Sequence, residues 1–528
     1  MDVGTHEQLV LLLLLAAVAG LLALVPTLRL PYPILLVLGG LALGFVPGLP
    51  HPQLPPDLVL VGVLPPLLYS ATFFASLRDL RAKAGTISLL SVGLVLVTVV
   101  AVAAVAHAAV SGLGWAPAFV LGAVVAPTDP LAATEIARRL GVPRRIVTIV
   151  EGESLINDAT ALAVYRVAVV AVVSGAFSFW HAGAVFAGGV VGGIAVGLAV
   201  AWLIAQVRIR LDYIPAEVAF SLLTGYFAYI PAAALHVSGV LAAVTAGVYM
   251  GWRSPELSTP EMRLQALPVW GTLTFLANSL LFVLVGLQLR PIWSALGGQS
   301  ASTLIGEAAI VAATVIAVRL AWVFPFVYGP HALLRRRRGE APRWELAALI
   351  GWMGMRGAVS LAAALALPLR TDAGAAFPGR SLIVFLAFAV ILVTLVVQGM
   401  TLPPLIRLLR LEDDGIEARE EAKARLKAAD AALARIDELA DEEWVREDTA
   451  ERMRGMYRFR RNRFAARFDS EDDGAIESRS ADYQRLRREL LEAERRAIVD
   501  LRRSGIINDE VMHKVERDLD LEDSRLDV

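Results

Sequence analysis

The chain has 528 residues; 56% belong to the hydrophobic set, 19% are charged, and there is no Cys. Residues 1–410 hold 25 Lys+Arg and 17 Asp+Glu, whereas residues 411–528 hold 24 and 33, so the overall net charge of −1 conceals an apolar, mildly basic part and a densely charged, acidic one. A single soluble enzyme domain, a disulfide-stapled secreted scaffold and a basic nucleic-acid binder are thereby excluded.

The first apolar run, Leu9 to Leu28, follows Asp2, His6 and Glu7 without any Lys or Arg. It lacks the basic lead of a secretory signal and is long enough to cross a bilayer, so it reads as a retained first span. Thirteen spans are predicted in chain order, near 9–28, 31–49, 57–77, 85–111, 116–137, 145–174, 180–207, 214–235, 237–251, 265–289, 301–328, 344–368 and 380–409. With the N-terminus outside, the span ends facing the cytoplasm carry 19 Arg and Lys, among them Arg29, Arg138, Arg139, Arg335 to Arg338 and Arg343. The opposite ends carry three: Arg290, Arg370 and Arg380. This asymmetry is what the positive-inside rule expects of a multi-pass protein of the plasma or inner membrane.

Thirteen spans also divide into six, a linker and six, the plan of two inverted repeats. The linker is then the seventh span, with Gly188, Gly189, Gly192, Gly193 and Gly197 on a small-residue face. Such a face allows close helix packing, either within one chain or across a dimer seam. The predicted fold is an all-α polytopic membrane domain over residues 1–410 and a helical cytoplasmic tail over 411–528. In the tail, Leu426, Ala429, Leu433, Ile436 and Ala440 recur at steps of three and four, one helical face. The basic aromatic stretch from Arg452 to Arg467 reads as a solvated helix with salt-bridge partners, or as a contact for anionic lipid.

Ionisable residues within spans mark function by default, because hydrocarbon penalises charge. Glu135, Glu217 and Glu307 lie near span ends, where they can reach the interface, and Arg166 can snorkel. Arg319 lies deeper and has no partner legible in the sequence. Asp129 sits in APTDP, bracketed by Pro127 and Pro130. Proline breaks a helix, and the exposed backbone polar groups must then line a cavity or be buried in protein. In EGESLIND, Ser154 and Asp158 are four apart and share a face; Glu153 and Asn157 share the next. A hydroxyl and a carboxylate are hard oxygen donors suited to a small cation, and no His or Cys joins them to make a zinc site. One desolvated carboxylate can hold either a proton or a cation, which is sufficient for exchange. Arg356 lies in GMRGAVSLA among Gly351, Gly354 and Gly357 and needs a buried anion, of which Glu153 and Asp129 are the candidates. The fifth and twelfth spans, equivalent under the repeat, are thus both predicted to be broken where they cross.

PTDP at 127–130, GESLIND at 152–158, SGVLAAVTAG at 238–247, GMRGAVSLA at 354–362 and VVQGMTLPPL at 396–405 together resemble the cation/proton antiporter 1 family, the electroneutral sodium/proton exchangers. The resemblance implies a homodimer that exchanges Na+, or alternatively K+ or Li+, for H+ by alternating access in pH homeostasis, with no cofactor. It implies a cation/proton site of Asp158, Ser154, Thr128, Asp129 and Asn157, in which Asp158 binds cation and proton in turn, Ser154 and the Thr128 carbonyl help ligate the ion, and Asn157 replaces the second aspartate of electrogenic relatives. It further implies a structural ion pair between Glu153 and Arg356. Many members have Glu where this chain has Ser70 and where it has Ala233. A channel or a membrane enzyme fits less well, because no pore ring, nucleophile–base pair or metal cluster is legible. A transporter-like sensor remains the alternative suggested by the long tail.

Overall fold

The computed structural model describes residues 5–28, 30–46, 55–175, 178–211, 213–297, 300–329, 344–411, 415–465 and 475–524. Arg29, Arg335 to Arg338, Arg343 and Arg467 lie outside the described residues. The chain divides into two compact units, Met1–Glu412 and Asp413–Val528.

The described residues of the first unit are predominantly helical. Its principal helices are α1 (Thr5–Leu28), α2 (Tyr32–Gly44), α3 (Leu64–Phe73), α4 (Val95–Ala109), α5 (Trp115–Val125), α6 (Leu131–Arg139), α7 (Arg144–Ser174) and α8 (Phe179–Arg208). They continue with α9 (Ile214–Ala234), α10 (Gly239–Leu257), α11 (Pro260–Leu287), α12 (Ala301–Trp322), α13 (Trp344–Trp352), α14 (Ala358–Leu365), α15 (Arg380–Val393) and α16 (Gly399–Leu408). Among the described residues six helical stretches are long and apolar enough to cross a membrane: Ala84–Ala109, Arg144–Ser174, Gly183–Arg208, Pro260–Ser294, Ala301–Tyr328 and Arg380–Leu408.

The ends of these helices follow local chemistry. α7 begins directly after Pro143 and stops at Gly175, whose φ of 70° is the left-handed conformation that a helix C-terminus favours. The Ser238 and Thr259 hydroxyls cap α10 and α11 by accepting the N–H of Leu241 and Met262, each at 3.2 Å.

Four apolar clusters form among the described residues, two of them extensive. The larger draws on α2, α4 to α7, α11, α12 and α13 to α15, with Leu121, Val124, Ile146, Val311, Leu361 and Phe388 at its centre. The second unites α3 and α8 to α11 through Tyr69, Ala201, Ala228, Ala242 and Trp270. The glycine face of α8 serves the second core: a side chain at Gly197 would stand 2.5 Å from the Ala242 carbonyl, and one at Gly193 would stand 2.6 Å from that of Ser238. These glycines therefore let α8 and α10 approach within one chain.

The second unit contains two helical hairpins. α17 (Ile416–Leu439) pairs antiparallel with α18 (Glu447–Ala465), and α19 (Ala475–Arg503) with α20 (Asp509–Ser524). Within the basic stretch, Arg454 binds Asp437 at 2.8 Å and Arg461 binds Asp430 at 2.6 Å, so these arginines are used inside the hairpin. Arg495 joins Asp520 and Asp523 in the second hairpin.

Candidate ion-binding site

Two helices are interrupted. Between α5 and α6 the backbone from Ala126 to Pro130 is not helical, and between α13 and α14 it is extended from Gly354 to Gly357. The sequence explains both gaps. Pro127 and Pro130 lack amide hydrogens, and Gly357 carries no side chain to hold the two breaks apart. The breaks meet: the Asp129 N–H donates to the Met355 carbonyl at 2.8 Å, and Arg356 Nη1 donates to the Ala126 carbonyl. A β-carbon at Gly357 would lie only 2.5 Å from that of Asp129, so glycine is what permits the crossing. The backbone groups freed by each break are thus satisfied in part by the other, as a helix broken inside a membrane requires.

α7 runs beside the crossing and supplies four polar side chains to it. Ser154 Oγ donates to the Thr128 carbonyl at 2.9 Å. The Asn157 amide donates to the Thr128 hydroxyl at 2.6 Å, and that hydroxyl donates to Glu153 Oε1 at 3.1 Å. Thr128 is therefore held by its main chain and its side chain at once. A carbonyl oxygen has two acceptor positions, so the Thr128 carbonyl can take the Ser154 hydroxyl and still face a cation.

Each carboxylate at the crossing has a different fate. Asp129 Oδ1 accepts the Leu131 N–H at 3.0 Å, capping the start of α6 where the helix dipole favours negative charge. Glu153 is gripped by Arg319 through Nη1 at 2.5 Å and Nη2 at 2.8 Å, with both side chains 1% exposed. Asp158, which is 6% exposed, makes no hydrogen bond or ion pair among the described residues. It lines a cavity of about 630 Å³ together with Thr128, Asp129, Ser154, Ser70, Asn278 and Ser360.

The structure corrects the expected pairing of Glu153 with Arg356. Arg319, which the sequence left without a partner, reaches Glu153 from α12 and also donates through Nε and Nη2 to the Ile350 carbonyl, at 3.2 and 3.1 Å. Gly354 leaves room for this side chain to pass, since a β-carbon there would sit 2.6 Å from Arg319 Nε. Arg356 is just as buried but spends its guanidinium on the Ala126 carbonyl, while its backbone N–H donates to Thr394 Oγ1 at 3.0 Å. The physical reason is reach: α12 packs beside α13, and from there the long Arg319 side chain extends to Glu153 on α7, whereas Arg356 leaves the second break on the side of the first. Asn157 also departs from expectation: it is fully buried, braces Thr128, and does not line the cavity. Ser70 lines the cavity but turns its hydroxyl to the Leu67 carbonyl at 2.9 Å. Glu307, expected at an interface, is buried and accepts the Ser111 N–H at 3.2 Å.

A helical membrane protein with crossed broken helices, oxygen donors at the crossing and one unpaired carboxylate facing a cavity belongs to the class of cation-handling secondary transporters. The sequence profile described as sodium/hydrogen exchanger, transmembrane, matches residues 13–408. An uncharacterized Na+/H+ exchanger of Mycobacterium tuberculosis is 36% identical over 500 residues, covering 94% of this chain and 91% of that protein. The sodium, potassium, lithium and rubidium/H+ antiporter of Bacillus subtilis is 31% identical over 71% of this chain and 57% of its own length. The solved structure of the sodium proton antiporter MjNhaP1 from Methanocaldococcus jannaschii at pH 8 shares the fold, with a TM-score of 0.59 and 19% identity over 76% of this chain and 99% of that one. The chain belongs to the sodium/hydrogen exchanger family. It is a multi-pass membrane antiporter that moves cations against protons, and not an enzyme.

Proposed function

We propose that the protein exchanges one Na+ for one H+ at Asp158 by alternating access across the cell membrane. The observation that carries this reading is the unequal state of the three carboxylates at the crossing. Glu153 is neutralised by Arg319 and Asp129 is committed to a helix start, whereas Asp158 faces the cavity without a partner. Only Asp158 is then available to alternate between proton and cation. Ser154 and the Thr128 carbonyl complete a set of hard oxygens suited to an alkali cation. Asn157 cannot ionise, so one charge moves in each direction and the exchange is electroneutral.

The reading extends to the whole chain. The lysine and arginine asymmetry supports an outside N-terminus and a cytoplasmic tail. The two crossed breaks support a pair of inverted repeats, and the two extensive apolar clusters of the membrane unit support a transport core moving against a scaffold that dimerises with a second copy. The hairpins of the tail form a regulatory unit. Potassium and lithium are the second reading for the cation, favoured by the ions for which the Bacillus subtilis relative is named and by Ser70 standing in the cavity wall.

Reconstituted protein in proteoliposomes, given sodium, potassium or lithium gradients with an internal pH dye, tests the proposal. Sodium-driven proton movement that disappears in Asp158→Asn is the expected result. Unchanged exchange in that variant overturns Asp158 as the site, and exchange with potassium alone overturns the choice of sodium.

A further inference from the structure

The cavity that reaches Asp158 is lined by two arginines as well as by carboxylates. Arg138 and Arg139 occupy the last turn of α6 and line the exposed end of the cavity. An uncompensated guanidinium there would repel a cation, because a cleft with apolar walls focuses the field of the charges that line it. Each arginine is instead met by a carboxylate that also lines the cavity. Arg139 Nε binds Glu135 at 2.7 Å, four residues back on its own helix. Arg138 Nη2 binds Glu151 at 2.8 Å, and Glu151 belongs to α7. Glu151, Ser154 and Asp158 stand at i, i+3 and i+7 on one face of α7, which places Glu151 about 10 Å from Asp158 along the helix. The four mouth residues carry no net charge as they stand, and +1 once Glu151 is neutralised.

We propose that Glu151 is a specificity-determining residue: by neutralising Arg138 at the cavity mouth it sets how readily a monovalent cation reaches Asp158, without taking part in the exchange itself. This rests on the reading of Asp158 as the exchange site. The Arg138–Glu151 pair is 63% and 36% exposed, so it adds little to stability and its loss leaves the fold intact. Its effect falls on access. One unit charge about 10 Å from the site, in surroundings between protein and water, changes local cation occupancy about two- to tenfold.

The test uses the full-length protein in everted membrane vesicles, with sodium added to the exposed face. Glu151→Gln is expected to raise the apparent KM for sodium about two- to tenfold with an unchanged maximal rate, more strongly at low ionic strength. Adding Arg138→Gln in the same chain should return KM towards the wild-type value, and Glu151→Asp, which keeps the charge, should stay close to it. A KM unaffected by Glu151→Gln overturns the proposal. So does a raised KM that Arg138→Gln fails to rescue, which would make Glu151 a cation ligand in its own right. A lowered maximal rate at unchanged KM overturns it as well. Failure of the underlying reading is seen separately, as exchange persisting in Asp158→Asn.

Discussion

Arg319 grips Glu153 with two parallel N–H···O bonds, 2.5 and 2.8 Å long, where neither side chain is more than 1% exposed. The same guanidinium donates to the Ile350 carbonyl, just ahead of the second helix break. Through Glu153 and the Thr128 hydroxyl it is also linked to the first break. One buried ion pair thus joins α7, α12 and both interrupted helices.

The pairing is open to a double-mutant cycle. Glu153→Gln and Arg319→Gln should show a coupling of about 0.5–3 kcal/mol in detergent stability, as residues in direct contact do. The Glu153 and Arg356 cycle should show the smaller coupling. Arg319→Ala alone should cost about 3–5 kcal/mol, because it leaves a buried charge unpaired. Thermal unfolding of purified protein checks all of these, and a larger coupling for the Arg356 cycle would reverse the assignment.

Asp158→Asn should reduce cation-dependent proton movement to background while melting temperature and oligomeric state stay at wild-type values. Asn keeps the size of the side chain and loses only the ability to ionise. Dye-based exchange and size-exclusion chromatography on the same preparation make the measurement. Residual exchange near the wild-type rate would move the site elsewhere.

Gly357→Ala should abolish transport. The added β-carbon would stand 2.5 Å from the Asp129 β-carbon, and the crossing backbone cannot give way without breaking the Asp129 N–H bond to the Met355 carbonyl. Gly306→Ala on α12, where nothing stands within 4 Å and which does not line the cavity, serves as the control and should transport normally. Equal activity in the two variants would show that the breaks are not tightly crossed.

Transport should be independent of voltage. With sodium as the cation and the liposome potential clamped by a potassium gradient and valinomycin, the final pH difference at a fixed sodium gradient should not move. Each net charge carried would couple at about 2.3 kcal/mol per 100 mV. A steady shift with voltage would mean that a second proton is carried, and Asp129, half-buried on the cavity wall, is the group to substitute next.

Much of this protein is written locally. Long apolar runs compel membrane helices because hydrocarbon leaves no other partner for the backbone. Pro127 and Pro130 forbid a continuous helix at Asp129 whatever surrounds them, and the spacing of Ser154 and Asp158 places them on one face of α7 by helix geometry alone. The alternation of polar and apolar steps in the tail likewise marks its shielded face, where Ala429 is buried and Leu433 and Ile436 are half-buried.

Partnership across distant segments is another matter, because it depends on which helices the fold brings side by side. Glu153 and Arg319 are 166 residues apart, and no periodicity connects them. Arg356 offers the same charge in a motif next to the crossing, so residue type alone cannot choose between the two arginines. The choice falls to the packing of α12 beside α13, to the gap left by Gly354, and to the Ala126 carbonyl that claims Arg356. By the same logic Asn157 turns to Thr128 rather than to the cavity, and Arg138 finds Glu151 at the mouth. A chain can state which groups it must bury, but only the assembled bundle decides which charges meet, since the energy of a pair depends on separation and solvent access that exist only once the helices are packed.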